Sequence, residues 1–356
     1  MQKNVLLRSF SGSAMENKNK IARLLGMLIL LAMIGCLVQA VGKKQTVCEK
    51  QLFAMDTYMT FKAIGPQAEE AVDAAIRETE RLDALLSTGK ETSEVSKINA
   101  AGSGSVSEDT AVLLQRSMEY YESTKGLFDI TIYPLMELWG FPTKEYRVPS
   151  EKELEEALSV VGTSKISFDG KNLVLEKGQK IDFGGIAKGY TSAKVIELMK
   201  TYGIEDAMVS LGGNVQTIGK NAEGKLWKIG IRDPQEEENE MLGVLPVSGK
   251  AVITSGGYER YFEADGETYI HILDPATGKP AEGTLLSATI ISEDGTLADA
   301  MSTSMYLMGA EGAESYWKEN GDEFDMILVT EDQIYITEGI ADDFQCSQQY
   351  EVLTRN

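Results

Sequence analysis

The stretch KIDFGGIAKGYTSAKVIELMK, residues 180–200, restricts the architecture most directly. An apolar run ends at Asp182, crosses a Gly-Gly pair, and continues with helical spacing. At such a strand-to-helix turn, Gly184 and Gly185 let the backbone approach another group closely, and the first N–H groups of the helix lack partners. A phosphate is favoured there; Lys188 adds positive charge and Asp182 an acceptor. Plain helix packing accounts for the glycines equally well. Neither G-x-G-x-x-G nor a Walker loop is present to decide for a nucleotide.

The rest of the chain mixes helical and strand-like segments. Alternation in LFAMDTYMTFKAIG, from residue 52, predicts a strand. The following segment holds Ala71, Ala75, Ile76, Leu82, Leu85 and Leu86 near one stripe, as a helix packed on a sheet would. Residues 87–109, rich in Ser, Thr and Gly, read as a long loop. Helices are expected near 110–125 and 150–161, then a hairpin turning at Asp169-Gly170-Lys171. Glycine-broken strands fill most of 207–292, and helices are expected at 297–308 and 312–319. No repeat of solenoid length occurs. The mixture favours an α+β fold with mixed, largely antiparallel sheets and packed helices over a doubly wound sheet. One domain is expected over 51–341, between a polar linker at 36–50 and a polar tail at 342–356.

With 43% hydrophobic and 25% charged residues, the composition is that of a folded protein. A net charge of −21 argues against nucleic acid as a partner, because phosphate backbones are bound by clustered Lys and Arg. An anionic ligand therefore needs local help from a cation, backbone N–H groups or a placed lysine.

The N-terminus reads as an export signal over residues 1–35. Lys18, Lys20 and Arg23 precede LLGMLILLAMI, a run short of the about 20 residues that span a bilayer. Gly35-Cys36 resembles a lipoprotein processing site, with Met33 where Leu is usual; an uncleaved anchor is the alternative. Met15 opens a more conventional signal than Met1. Removing 1–35 makes the remaining chain more acidic still, which keeps it off anionic lipid. Cys48 and Cys346 have no metal or redox spacing; they either pair or stay as separate thiols.

Two further segments carry chemistry. In ADAMSTSMYLMG, Asp299 and Thr303 stand four apart, so on a helix they share a face and can point at one hard cation such as Mg²⁺. The same spacing also occurs at ordinary helix starts. His271, the only histidine, is a candidate general base, although flanking Ile270 and Ile272 also fit a packed strand residue. A Ser–His–Asp hydrolase lacks its G-x-S-x-G elbow.

Taken in order, MDTYM at 55, SEVSKIN, FDITIYPLMELWGF, DFGGIAKGY, SLGGN, TSGGYERYF, HILDPATGKP and ADAMSTSMYLMG resemble the FAD:protein FMN transferase family, the ApbE type, over roughly residues 50–310. The resemblance implies a single T-fold-like catalytic domain that cleaves FAD at its pyrophosphate. FMN would be placed on a threonine of a target protein as a phosphoester, and AMP released. It implies that Met55, Leu127, Phe128, Asp129, Asp182, Lys188 and the Leu273 backbone contact FAD. The Gly185 carbonyl, Asp299 and Thr303 would hold Mg²⁺, and His271 would be the base for the acceptor. Two positions depart from the family pattern: Gly89 where an aromatic is frequent, and Gly257 where an acid is expected.

Some relatives hydrolyse FAD to FMN and AMP, so a pyrophosphatase is one alternative and a non-catalytic exported flavin-binding lipoprotein another. The chain lacks an acceptor motif of the Ser/Thr-Gly-Ala-Thr kind, so action in trans is expected. The implied targets are subunits of Rnf or Na⁺-pumping quinone reductase complexes, or exported flavoproteins. The implied location is the outer face of the cell membrane, through lipid on Cys36.

Overall fold

Residues of alternating polarity at 47–54 and 57–64 form β1 (Val47–Ala54) and β2 (Thr57–Ile64), paired in full antiparallel register from Val47↔Ile64 to Ala54↔Thr57. The computed structural model describes residues 46–236 and 240–355. The export signal, Cys36 and the linker up to residue 45 lie outside them. The linker expected to reach residue 50 ends earlier: β1 already includes 47–50, and Lys50 pairs with Asp73 on the next helix. Strand pairing along the whole length of β2 overrides the polar look of these four residues.

Next come α1 (Ala68–Leu86), α2 (Glu94–Ala101), β3 (Ser103–Ser105), α3 (Glu108–Ser123), α4 (Tyr133–Trp139) and α5 (Glu151–Leu158). β4 (Ser167–Phe168), β5 (Asn172–Val174) and α6 (Ala187–Thr201) follow. The expected loop at 87–109 therefore contains a helix. Ser93 caps α2 by accepting from Ser96 N–H at 2.9 Å, and Gly102 ends it in the left-handed region at φ 72°. With only Val95 and Ile98 buried, α2 is too short for its apolar period to show. A Ser150–Glu153 capping box starts α5, and Gly170 turns the β4–β5 hairpin where the sequence placed it.

The second half runs β6 (Asp206–Leu211), β7 (Asn214–Ile218), β8 (Trp227–Arg232), β9 (Met241–Val247), β10 (Ala251–Gly256), β11 (Tyr261–Ala264) and β12 (Glu267–Ile270). β13 (Leu285–Ser292), α7 (Gly295–Asn320), β14 (Phe324–Thr330), β15 (Ile334–Thr337), β16 (Gln345–Cys346) and β17 (Glu351–Leu353) complete it. The two helices expected after residue 297 are one run broken at Gly309, whose φ of 70° and ψ of 175° are not helical. The 342–356 tail is built in: β16 pairs with β9, and β17 runs parallel to β15. Strands of two or three residues carry no readable period.

Among the described residues, nine strands form one sheet in the order β1-β2-β6-β7-β10-β13-β14-β15-β17, antiparallel except at its last pair. Alternate residues serve different cores, as the pleat requires. Ile253, Ile290 and Leu328 face the core shared with α7, while Val252, Ile291 and Ile327 face the β8–β9–β16 sheet. Burial on both faces explains the nearly continuous apolar runs of β13 and β14. The architecture is α+β, and the described residues from 47 onward form one compact unit. Cys48 and Cys346 are free thiols. Among the described residues no helix is long and apolar enough to cross a membrane.

Candidate active site

Two tight hairpins bring the chemistry to one end of the sheet. β1 and β2 are joined by Met55 and Asp56 alone, both left-handed at φ 47° and 58°, and both line a cleft of about 970 Å³. Two-residue hairpins favour this conformation, but glycine or asparagine usually adopts it, so a Met-Asp pair stores local strain at the cleft rim. Beside it, Gly212 and Gly213 join β6 to β7; a Cβ on Gly212 would sit 2.4 Å from Thr57 Oγ1. This turn delivers Asn214, 4% exposed, whose Nδ2 donates to Asp299 Oδ1 at 2.8 Å.

Asp299 sits on the first turns of α7, capped by the Asp294 carboxylate. Its other oxygen accepts from Gly189 N–H on α6 at 2.7 Å. One of the free N–H groups expected at the start of α6 is therefore held by this carboxylate. The approach depends on Gly189: a Cβ there would lie 2.1 Å from Gly295 O and 2.5 Å from Asp299 Cβ. One turn further along α7, Thr303 Oγ1 lies 3.2 Å from Ser255 Oγ and 3.9 Å from a Cβ built on Gly185. Thr303 stands one turn from Asp299, as their helical spacing suggested, and Gly185 lies beside it. Among the described residues, no group of three or more His, Cys, Asp or Glu is placed to hold a metal ion. One carboxylate, one hydroxyl and one backbone carbonyl make a donor set of the partial kind that Mg²⁺ completes with water and substrate phosphates.

His271 lines the same cleft. Its Nδ1 lies 3.1 Å from the Arg260 carbonyl, and Nδ1–H donating there leaves the Nε2 lone pair free. Burial, reinforced by the Arg260 and Lys188 charges, pulls its pKa down to about 4, so the ring is neutral at pH 7. Burial also pushes the carboxyls of Asp182 and Glu259 above their ordinary range, against the pull of nearby cations. Asp182 Oδ1 accepts from Gly184 N–H at 3.0 Å.

Lys144, Lys188, Arg232 and Arg260 line the cleft, and none makes an ion pair among the described residues, although acids outnumber bases 55 to 34. The Arg232 guanidinium lies 4.4 Å from the Tyr258 ring centroid, and its buried Nε has no acceptor. Unpaired cations in so acidic a chain mark a place for an anion.

Every site residue named from the sequence lines this cleft, but in different ways. Asp129 lines the cleft, and its carboxylate is bonded within the protein. It accepts from Thr131 N–H and Oγ1 and from Thr163 N–H and Oγ1, fixing the chain before α4. Phe128 is 5% exposed and packs edge-on to Tyr120. Leu273 is buried and bridged to Pro280.

A family model described as the ApbE family matches residues 55–328, a span that contains every residue of this site. The chain belongs to the ApbE family. The FAD:protein FMN transferase of Escherichia coli K12 is 31% identical over 283 residues, covering 75% of this chain and 80% of the relative. The crystal structure of the ApbE protein of Thermotoga maritima is 34% identical with a TM-score of 0.78, covering 84% of this chain and 99% of that one. The apo flavinyl transferase ApbE of Pseudomonas stutzeri is 28% identical with a TM-score of 0.77, covering 86% and 99%.

As an ApbE chain it departs from the expected pattern at two glycines, and the structure accounts for one. A Cβ on Gly257 would lie 2.9 Å from Tyr306 Oη and 3.0 Å from Ile270 Cγ2, so a larger residue there would have to displace Tyr306; Glu259, two residues on, lines the cleft. Sequence reading assigned no role to Asn214, Ser255, Arg232, Glu259 or Arg260. Asn214 and Ser255 lie in the quoted motifs SLGGN and TSGGYERYF, where a polar residue beside glycine was the only signal.

Proposed function

We propose that this protein is an FAD:protein FMN transferase that moves FMN from FAD to a threonine of another protein and releases AMP. The observation that carries this is that Asp299, Thr303, Gly185 and a neutral His271 line one cleft with Lys188, Arg232 and Arg260, which make no ion pair among the described residues. Bound at Gly185, Asp299 and Thr303, Mg²⁺ would neutralise charge on the pyrophosphate. The basic side chains orient the phosphates, and the burial of the cleft strengthens each of these contacts. His271 Nε2 accepts the proton of the threonine hydroxyl as its oxygen bonds to the FMN phosphorus. The bond from that phosphorus to the bridging oxygen breaks, and AMP departs with the electron pair. Export and lipid on Cys36 would place the reaction at the outer face of the cell membrane, where subunits of redox complexes or exported flavoproteins would be the acceptors.

The test is incubation of the full chain with FAD, Mg²⁺ and an acceptor domain bearing a Ser/Thr-Gly-Ala-Thr motif. Expected are AMP release and an acceptor mass gain matching FMN. AMP without mass gain would replace this reading with a pyrophosphatase, and neither product would leave a binding protein.

His271→Ala should lower the transfer rate by roughly 10²–10⁴-fold, the usual worth of a positioned base. Because the folded pKa is depressed, the base stays neutral well below pH 6.5. The acid limb of kcat/KM is expected nearer pH 4; a limb at 6.5 or above would remove His271 from the role. The same depression costs stability as pH falls from 6.5 toward 4, because the unfolded chain takes up the proton first.

Asn214→Ala leaves Asp299 Oδ1 without its donor. A rise of about tenfold in the Mg²⁺ concentration for half-maximal rate is expected, the lower end of such supporting effects. An unchanged Mg²⁺ titration would show that Gly189 alone positions the carboxylate.

A further inference from the structure

A pile of aromatic rings with no assigned role reaches the cleft through Tyr146. Phe262 and Tyr269 stack at 5.1 Å between centroids and 18° between planes, and Tyr146 stacks on Phe262 at 4.9 Å and 8°. Tyr146 is the outer ring of this pile, 37% exposed, and it lines the cleft. Phe141 meets it edge-on at 5.7 Å and also approaches the His271 ring at 6.4 Å, which sets Tyr146 on the His271 side.

The segment bearing Tyr146 is held in place. A Cβ on Gly140 would lie 2.1 Å from the Glu145 carbonyl, so glycine is required where α4 ends against this loop. Lys144 is left-handed at φ 62°, and Arg147 N–H donates to Trp139 O at 3.3 Å. Gly89, where an aromatic was expected, does not line the cleft, and a Cβ there would have only Ser87 Oγ, at 3.8 Å, as a neighbour.

We propose that Tyr146 is the stacking platform of this cleft, receiving a planar heterocycle of FAD as the next ring of the Tyr146–Phe262–Tyr269 pile. This rests on the transferase reading above. A rigid aromatic already ordered by stacking loses little freedom on binding, and stacking a base on an aromatic tolerates either ring system. The interaction acts on binding and leaves the reacting atoms to His271 and Asp299.

The experiment measures KM for FAD and kcat by AMP release, and Kd for FMN and for AMP with Mg²⁺ present, in the wild type, Tyr146→Ala and Tyr146→Phe. Tyr146→Ala is expected to raise KM for FAD and the Kd of one half-molecule by roughly five- to a hundredfold, with kcat little changed and Tyr146→Phe close to wild type. The half that weakens, FMN or AMP, names the ring. Unchanged values in Tyr146→Ala, failure of Tyr146→Phe to restore binding, or equal weakening of both halves with a lower unfolding midpoint would overturn the assignment. A wild type that neither releases AMP nor binds either half would instead defeat the transferase reading.

Discussion

Asp299→Asn is expected to lower both AMP release and FMN transfer by about a thousandfold or more while the protein stays folded. The carboxylate is 4% exposed and held from two sides, by Gly189 N–H at 2.7 Å and Asn214 Nδ2 at 2.8 Å, so its orientation is set before any ligand arrives. Several kcal/mol of charge stabilisation on a pyrophosphate depend on a cation held there, and each 1.4 kcal/mol is a factor of ten. An asparagine keeps the shape but removes the charge, and one of its faces now opposes a donor. The cost in stability is about 1–3 kcal/mol for the unmatched group, below the total stability of an ordinary domain. Rates of AMP release and urea midpoints, measured side by side, check both halves. A folded Asp299→Asn protein retaining a tenth of the wild-type rate would remove Asp299 from the proposed chemistry.

Gly189→Ala should have the largest effect on stability. The added methyl would lie 2.1 Å from Gly295 O and 2.5 Å from Asp299 Cβ, and the first of these is backbone that no rotamer change can move. α6 and α7 must separate, which strains the core and pulls Gly189 N–H from Asp299. Overpacking of this kind costs about 3 kcal/mol, occasionally more. A fall in urea midpoint is expected together with loss of AMP release. Gly283→Ala is the control: its Cβ meets nothing closer than 3.8 Å, and its midpoint should barely move. Equal midpoints for the two variants would mean that the close crossing of α6 and α7 is not needed for the fold.

The parts of the fold legible in the sequence were those with enough residues to establish a period or a turn signal. α1 repeats its small and apolar residues over five turns, and β2 and β6 alternate cleanly. α2, β16 and β17 were missed because two buried residues, or a strand of two or three, define no period. At the site, Asp299 and Thr303 were visible because helical spacing is local. Asn214 was not: its partner is 85 residues away, and a hairpin of two glycines gives no hint of what it faces. Nor did the sequence show that the Asp129 carboxylate, within a site motif, is held by Thr131 and by Thr163, the second of them 34 residues away.

By itself the sequence determined the α+β mixture, the Gly-Gly entry to α6, the one-face pairing of Asp299 with Thr303 and the resemblance to a flavin transferase family. All of these rest on spacing within about a dozen residues or on motif order. The tertiary structure alone decided that Gly189 is the crossing point of two helices, that Asn214 and Gly189 aim Asp299, that His271 stays neutral, and that Tyr146 ends an aromatic pile at the cleft. Those properties arise from burial and from contacts between distant segments, which depend on how the nine strands are ordered and not on any local run of residues.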